Sequence, residues 1–144
     1  MDKVQYKRPE SVLIVVYTQA SNVLMMRRVF PADFWQSVTG SLEWDESPWD
    51  AACRELFEET GLSPRTLQDC GISQVFDIYD IWRDRYPPGV RQNTEHVFRL
   101  QLVQEEPIQL DPREHTEFIW MPKSEAADLA TSHTNRQAIL DWVP

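Results

Sequence analysis

The residues best able to do chemistry lie between Gly40 and Leu62, in GSLEWDESPWDAACRELFEETGL. Here Glu43, Glu46, Glu55, Glu58 and Glu59 surround a single arginine, Arg54, between two glycines. The second half carries helix signals at both ends. Ser47 can cap, Pro48 suits the first turn, Asp50 can close a capping box, and Gly61 can take the left-handed terminating conformation. The spacing predicts a helix from Pro48 to Thr60. At about 100° per residue, Glu55, Glu58 and Glu59 fall within one wedge, and Trp49, Cys53, Leu56 and Thr60 gather opposite. One face is expected to be core and the other carboxylate.

Carboxylates three and four residues apart repel, at a cost of a few tenths of a kcal/mol per pair. Such a face has two outcomes. It can remain a solvated charge run, the usual fate of such segments, or it can hold a cation. Carboxylate oxygens suit Mg²⁺ and Mn²⁺, and Mg²⁺ is normally held by a few carboxylates together with waters and substrate phosphates.

The spacing decides between them. Gly40, Glu46, Arg54, Glu55, Leu56, Glu58, Glu59, Gly61 and Leu62 stand at the positions of the Nudix box, without departure. From average residue usage, such a match has odds on the order of 10⁻⁹ at any one starting point. The stretch therefore resembles the Nudix hydrolases. The resemblance implies an α/β fold, an α/β/α sandwich around a mixed sheet, and hydrolysis of a phosphoanhydride. It places Glu55, Glu58 and Glu59 on divalent cations, brings the Gly40 backbone close to the metal, and pairs Glu46 with Arg54 structurally. It also implies a further carboxylate from a later loop: Glu114 is the choice, with Asp111 and Glu117 as competitors.

Other segments narrow the resemblance. YKRP at the opening, DFWQSVTGS, RYPPGV followed by NTE, and SHTNRQAI are similar to one bacterial branch of the family, enzymes of folate biosynthesis. Carried over position by position, Lys7, Arg27, Thr39 and Ser132 become substrate contacts. Phe76, Asp77, Ile78 and Tyr79 flank a pterin ring, and Glu55, Glu59 and Glu114 become Mg²⁺ ligands. The segment VFPAD after Arg28 reads as one residue longer than that branch's pattern, so the choice between Arg27 and Arg28 stays open. On consecutive strand positions these two arginines point to opposite faces, and only one can reach a pocket. His115 is read as packing or solvent-facing, with no chemistry assigned, and the aromatics Phe76, Tyr79, Trp82 and Tyr86 as packing with at least one free to stack on a ring.

The rest of the chain must position these groups. A length of 144 residues suits one Nudix domain over 1–144 and buries about two thirds of the unfolded surface. An apolar fraction of 42% with six tryptophans argues for a core. The formal charge of −9 argues against a nucleic-acid polymer as partner. Two cysteines, Cys53 and Cys70, are too few for a disulfide scaffold and are read as reduced. Without an apolar run long enough to span a bilayer, no membrane partner and a cytoplasmic location are expected.

Strands are expected at Val12–Tyr17, Asn22–Arg28, Trp35–Val38, Leu67–Asp77, His96–Val103 and Thr116–Met121. A polar loop is expected over Ile81–Asn93, and helices over Lys123–Ala130 and Asn135–Val143. The resulting expectation is a Mg²⁺-dependent (or Mn²⁺-dependent) pyrophosphohydrolase with a small-molecule triphosphate as partner, acting as a monomer or weak homodimer. The branch resemblance implies dihydroneopterin triphosphate as substrate, cut to its monophosphate and pyrophosphate, with Glu55 or Glu58 handling the attacking water. The alternative enzyme is a (d)NTP pyrophosphatase acting on dATP or 8-oxo-dGTP. The alternative from another class is a nucleotide-binding regulatory domain without catalysis.

Overall fold

The structure is a computed structural model describing residues 5–144. Its centre is β1 (Glu10–Thr18), a run buried almost throughout. Because strand side chains alternate, Val12, Ile14 and Val16 enter one core and Leu13, Val15 and Tyr17 the other. The first core is closed by α1 (Pro48–Thr60) through Ala51, Ala52 and Leu56. The second is closed by α2 (Lys123–Leu129) and α3 (His133–Trp142) through Ala126, Ala127, Ala138 and Ile139. Helices therefore cover both faces of the sheet. This is the sandwich expected, and its mixed character is explicit: β1 runs parallel to β6 (Gln92–Leu102) and antiparallel to β2 (Asn22–Arg28).

The sheet is split where it serves the cleft. β3 (Trp35–Gln36) pairs with β2, while β4 (Val38–Ser41) pairs with β1. The single strand expected over Trp35–Val38 is broken because Ser37 is held from outside the sheet. Asn135 accepts from the Ser37 N–H at 2.8 Å and donates to its Oγ at 2.9 Å. β5 (Leu67–Asp77) pairs with β6 on one side, and β7 (His115–Pro122) pairs with β2 on the other.

α1 occupies the expected span. The Ser47 hydroxyl accepts from the Asp50 N–H at 3.1 Å, and Gly61 ends the helix at φ 75°. Its faces differ from expectation. Glu59 is on the buried side, whereas Trp49 stays 43% exposed with its ring centroid 6.1 Å from that of Phe98. The small Ala51 and Ala52 let the helix lie close on the sheet, which pushes Trp49 to the flank. Other boundaries also move. Asp80–Arg85 is a 3-10 helix overlapping the start of the expected loop, β6 starts four residues before His96, and α3 starts at His133 with Ser132 as its cap.

Candidate active site

A cleft of about 650 Å³ opens along the split in the sheet, and both α1 and the start of α3 contribute to its walls. Its acidic wall is set by one close approach. The backbone of Gly40 lies so near the Glu55 carboxyl group that a Cβ at position 40 would overlap it. Arg54 is the hub behind this wall. Its guanidinium donates to both Glu46 oxygens, at 2.9 and 2.7 Å, to Glu55 Oε1 at 2.7 Å and to the Ser41 carbonyl at 3.2 Å. These bonds tie the loop before α1 to the helix, and hydrogen bonding from Arg54 holds the Glu46 carboxyl below its ordinary value. Glu58 is half exposed, reaches Arg54 only at 3.4 Å, and does not line the cleft.

Glu59 has the least ordinary environment. It is 2% exposed, and both carboxylate oxygens are buried without a hydrogen-bond partner. Burial first, then the neighbouring Glu55 carboxylate, raises its pKa well above the usual range. Glu55 is raised too, mainly by burial. The nearest cationic candidate is His115, with Nδ1 3.8 Å from Glu59 Oε1. Burial holds that imidazole at about 4, so it is neutral at pH 7, and its Nε2 sits 3.0 Å from the Gln36 amide nitrogen. His115 is buried and neutral, and gives Glu59 no cation.

Cations stand across the cleft. Arg28 lies over the Trp82 ring at 4.9 Å and the Phe34 ring at 5.9 Å, and its charge acts on Glu59 and Glu114. Arg27, the expected contact, points the other way and pairs with Asp33 at 2.7 Å. Strand alternation, with an irregularity between Arg27 and Arg28, makes Arg28 the one that lines the cleft. Lys7 lines it as well, its pKa lowered by burial and then by Arg85. Glu114 also faces it, whereas Asp111 is occupied by Arg113 at 3.0 Å and Glu117 lies opposite Arg27 across β2 and β7.

The far wall is aromatic and polar. Tyr79, Trp82 and Phe34 meet edge to face, with centroids 5.4 to 5.9 Å apart. Phe76, Tyr79 and Ile78 all line the cleft, Ile78 being almost fully buried. Asp77 is exposed, accepts from Gln92 at 3.2 Å, and does not line the main cleft. Thr39 lines it while donating its hydroxyl to the Val12 carbonyl at 2.8 Å. Ser132 lines it too, its Oγ 2.8 Å from the Thr134 hydroxyl and accepting from the Asn135 N–H at 3.4 Å. Arg85, Asn135 and Glu95 join the lining without having been singled out as site residues in the sequence. Glu95 stands in the NTE segment, but placing the strand start at His96 hid its inward direction.

This arrangement fits a hard divalent cation. The half-buried Glu55 and the buried Glu59, the latter with both oxygens unsatisfied, stand together, and the Gly40 backbone comes so close that a Cβ there would displace the Glu55 carboxyl group. Among the described residues no three His, Cys, Asp or Glu side chains form a closed cage. An open, all-oxygen set matches an ion that keeps waters and shares substrate phosphates, not a closed structural metal.

Comparison with known proteins shows the family of the chain. The NUDIX domain family model matches residues 7–143. The dihydroneopterin triphosphate diphosphatase of Escherichia coli (strain K12) is 45% identical over 147 residues, covering 99% of this chain and 96% of that protein. The protein of the same name from Haemophilus influenzae is 40% identical, with 96% and 90% covered. A solved structure of the E. coli dihydroneopterin triphosphate pyrophosphohydrolase matches with a TM-score of 0.91 at 44% identity, covering 98% of each chain. With the box intact, the sandwich in place and the match running almost end to end, this chain belongs to the Nudix family.

Proposed function

We propose that this chain is a single-domain, Mg²⁺-dependent pyrophosphohydrolase that cuts dihydroneopterin triphosphate to dihydroneopterin monophosphate and pyrophosphate, a step of folate biosynthesis. The observation that carries this is one continuous cleft. It joins Glu55 and Glu114, the basic side chains of Lys7 and Arg28 and an aromatic wall, with the unpartnered Glu59 carboxylate buried directly behind Glu55, in a chain 45% identical to the E. coli enzyme.

Glu55 and Glu59, with the Gly40 carbonyl region and Glu114, are the residues that would hold Mg²⁺, or Mn²⁺ in its place. Bound there, the ion would neutralise phosphate charge and make the attacking water more acidic. Arg28 and Lys7 donate to phosphate oxygens, and the Trp82 and Phe34 rings keep the Arg28 guanidinium aimed into the cleft. Glu55 is the residue that takes the proton from water. Burial raises its pKa toward the working range of a base, and the Arg54 contact fixes its direction. Glu58, outside the cleft lining, is the weaker candidate for that role. Phe76 and Tyr79 offer ring faces to the pterin, and Thr39 and Ser132 offer hydroxyl oxygens at the wall.

The partner is a small-molecule triphosphate, and the protein acts in the cytoplasm as a monomer or weak homodimer. Among the described residues no helix is long and apolar enough to cross a membrane. The alternative substrate is a purine (d)NTP, because purine and pterin rings share much of their hydrogen-bonding edge. Measuring kcat/KM for dihydroneopterin triphosphate, GTP, dATP and 8-oxo-dGTP, with pyrophosphate and phosphate both quantified, separates the two. A preference for the pterin with pyrophosphate as product is expected. A higher value for dATP or 8-oxo-dGTP would replace the pterin reading, and phosphate release alone would overturn the bond assignment.

A further inference from the structure

Beyond the carboxylates of α1, the cleft contains one more buried acid. Glu95 is 5% exposed and lines the cleft from β6, on the face of the sheet opposite to α1. Alternation along β6 puts Asn93, Glu95 and Val97 on the side covered by α3, and Val97 belongs to that core. Ser11 of β1 is level with Glu95 in the parallel pairing, and Phe76 of β5 is level with Asn93. Thr134, at the start of α3, hydrogen-bonds to the Glu95 carboxyl group, and Ser132 and Asn135 on the same turn line the cleft.

Even with the Thr134 contact, this corner is short of donors. Glu95 Oε1 is buried without a hydrogen-bond partner, and so is Asn93 Oδ1, whose amide nitrogen is already committed to Ser11 Oγ at 2.8 Å. Among the described residues no Lys, Arg or His forms an ion pair with Glu95. Burying a carboxylate without a cation is costly, and burial pushes this one up to about 7. Such a corner is complementary to a ligand edge rich in N–H groups, presented next to the Phe76 ring.

We propose that Glu95 selects the substrate ring, its carboxylate accepting the two adjacent N–H donors of a 2-amino-4-oxo-pyrimidine edge. Dihydropterin and guanine carry that edge, with a ring N–H beside an exocyclic amino group. Two parallel donors on one carboxylate make a charge-assisted bidentate pair. Adenine offers one amino donor beside a ring nitrogen acceptor, so its lone pair would face a carboxylate oxygen. The inference rests on the proposed triphosphate hydrolysis in this cleft and deepens it by naming what the ring end reads.

The test compares the parent with Glu95→Gln and Glu95→Asp. It uses steady-state kinetics on dihydroneopterin triphosphate, GTP and dATP, and fluorescence binding of neopterin, which has no phosphate, in the absence of metal. Gln replaces one acceptor by a donor, so KM for the pterin and for GTP should rise about tenfold or more while kcat holds, and dATP should be unchanged or improved. Neopterin binding should weaken in parallel. Glu95→Asp keeps the acceptor pair and should retain the order of preference. If Glu95→Gln leaves the GTP to dATP ratio and neopterin binding unchanged, the inference falls even where the parent prefers the pterin. If the parent prefers dATP to the pterin, yet Glu95→Gln still shifts the GTP to dATP ratio, the proposed substrate falls and the role of Glu95 stands.

Discussion

At position 40 a single methyl group separates geometry from stability. The three atoms nearest to a Cβ there are all at the end of the flexible Glu55 side chain, and the backbone is not in the left-handed region, so the chain can accept alanine. The Glu55 carboxylate would have to move instead. Displacements of about 1 Å at a reacting group can cost on the order of a hundredfold in rate. Gly40→Ala is therefore expected to lower kcat/KM by about that factor while Tm changes by no more than about 2 °C, measured by turnover and thermal melting side by side. A parallel fall in Tm would mean that the glycine serves folding. Glu59→Gln makes the complementary case. It replaces a buried carboxyl group, whose ionisation beside Glu55 is unfavourable, by a neutral amide of the same size, so the metal-free protein is expected to be as stable as the parent or more stable, while activity drops at least about a hundredfold. Full turnover at saturating Mg²⁺ would sink the ligand role.

At the scale of elements, α1 and the loop before it act together because Arg54 joins them. The guanidinium is 26% exposed and satisfies Glu46, Glu55 and the Ser41 carbonyl at once. Arg54→Ala strands the partly buried Glu46 carboxylate, with an expected loss of roughly 3 kcal/mol, or about 10 °C in Tm. An inactive Arg54→Ala variant that melts with the parent would move Arg54 from holding the loop to the reaction itself. The span of α1 was legible in the sequence because its signals are local: Ser47, Pro48 and Gly61 lie within the element they delimit. The partners of the cleft were less so. The choice of Arg28 over Arg27 depends on an irregularity in β2 and on the rings of Phe34 and Trp82. Glu95 was hidden for a similar reason, since the early start of β6 follows from its parallel pairing with β1, which brings Glu10 level with Thr94. Period-two patterning sees neither.

Across the whole molecule, a chain of net charge −9 gathers its acids where they repel, and that repulsion links metal, pH and stability. In the metal-free protein, burial raises Glu55, and burial together with the Glu55 charge raises Glu59, so the folded state holds protons that the unfolded chain would have released. A group raised in the folded state contributes stability at low pH and loses it as pH rises through the folded pKa. The metal-free protein should therefore weaken as pH rises from the ordinary carboxylate range through the raised values of these two groups. A divalent cation must displace the same protons to bind, so its affinity should rise over that interval. Ligand binding stabilises as the logarithm of its concentration over Kd. The Tm increase produced by millimolar Mg²⁺ is accordingly expected to be larger at pH 8 than at pH 6, and smaller at both in Glu59→Gln. Melting curves with Mg²⁺ and with a chelator at the two pH values measure this directly. An increase that is the same at both pH values and unaltered by Glu59→Gln would place the cation elsewhere than on the α1 carboxylates.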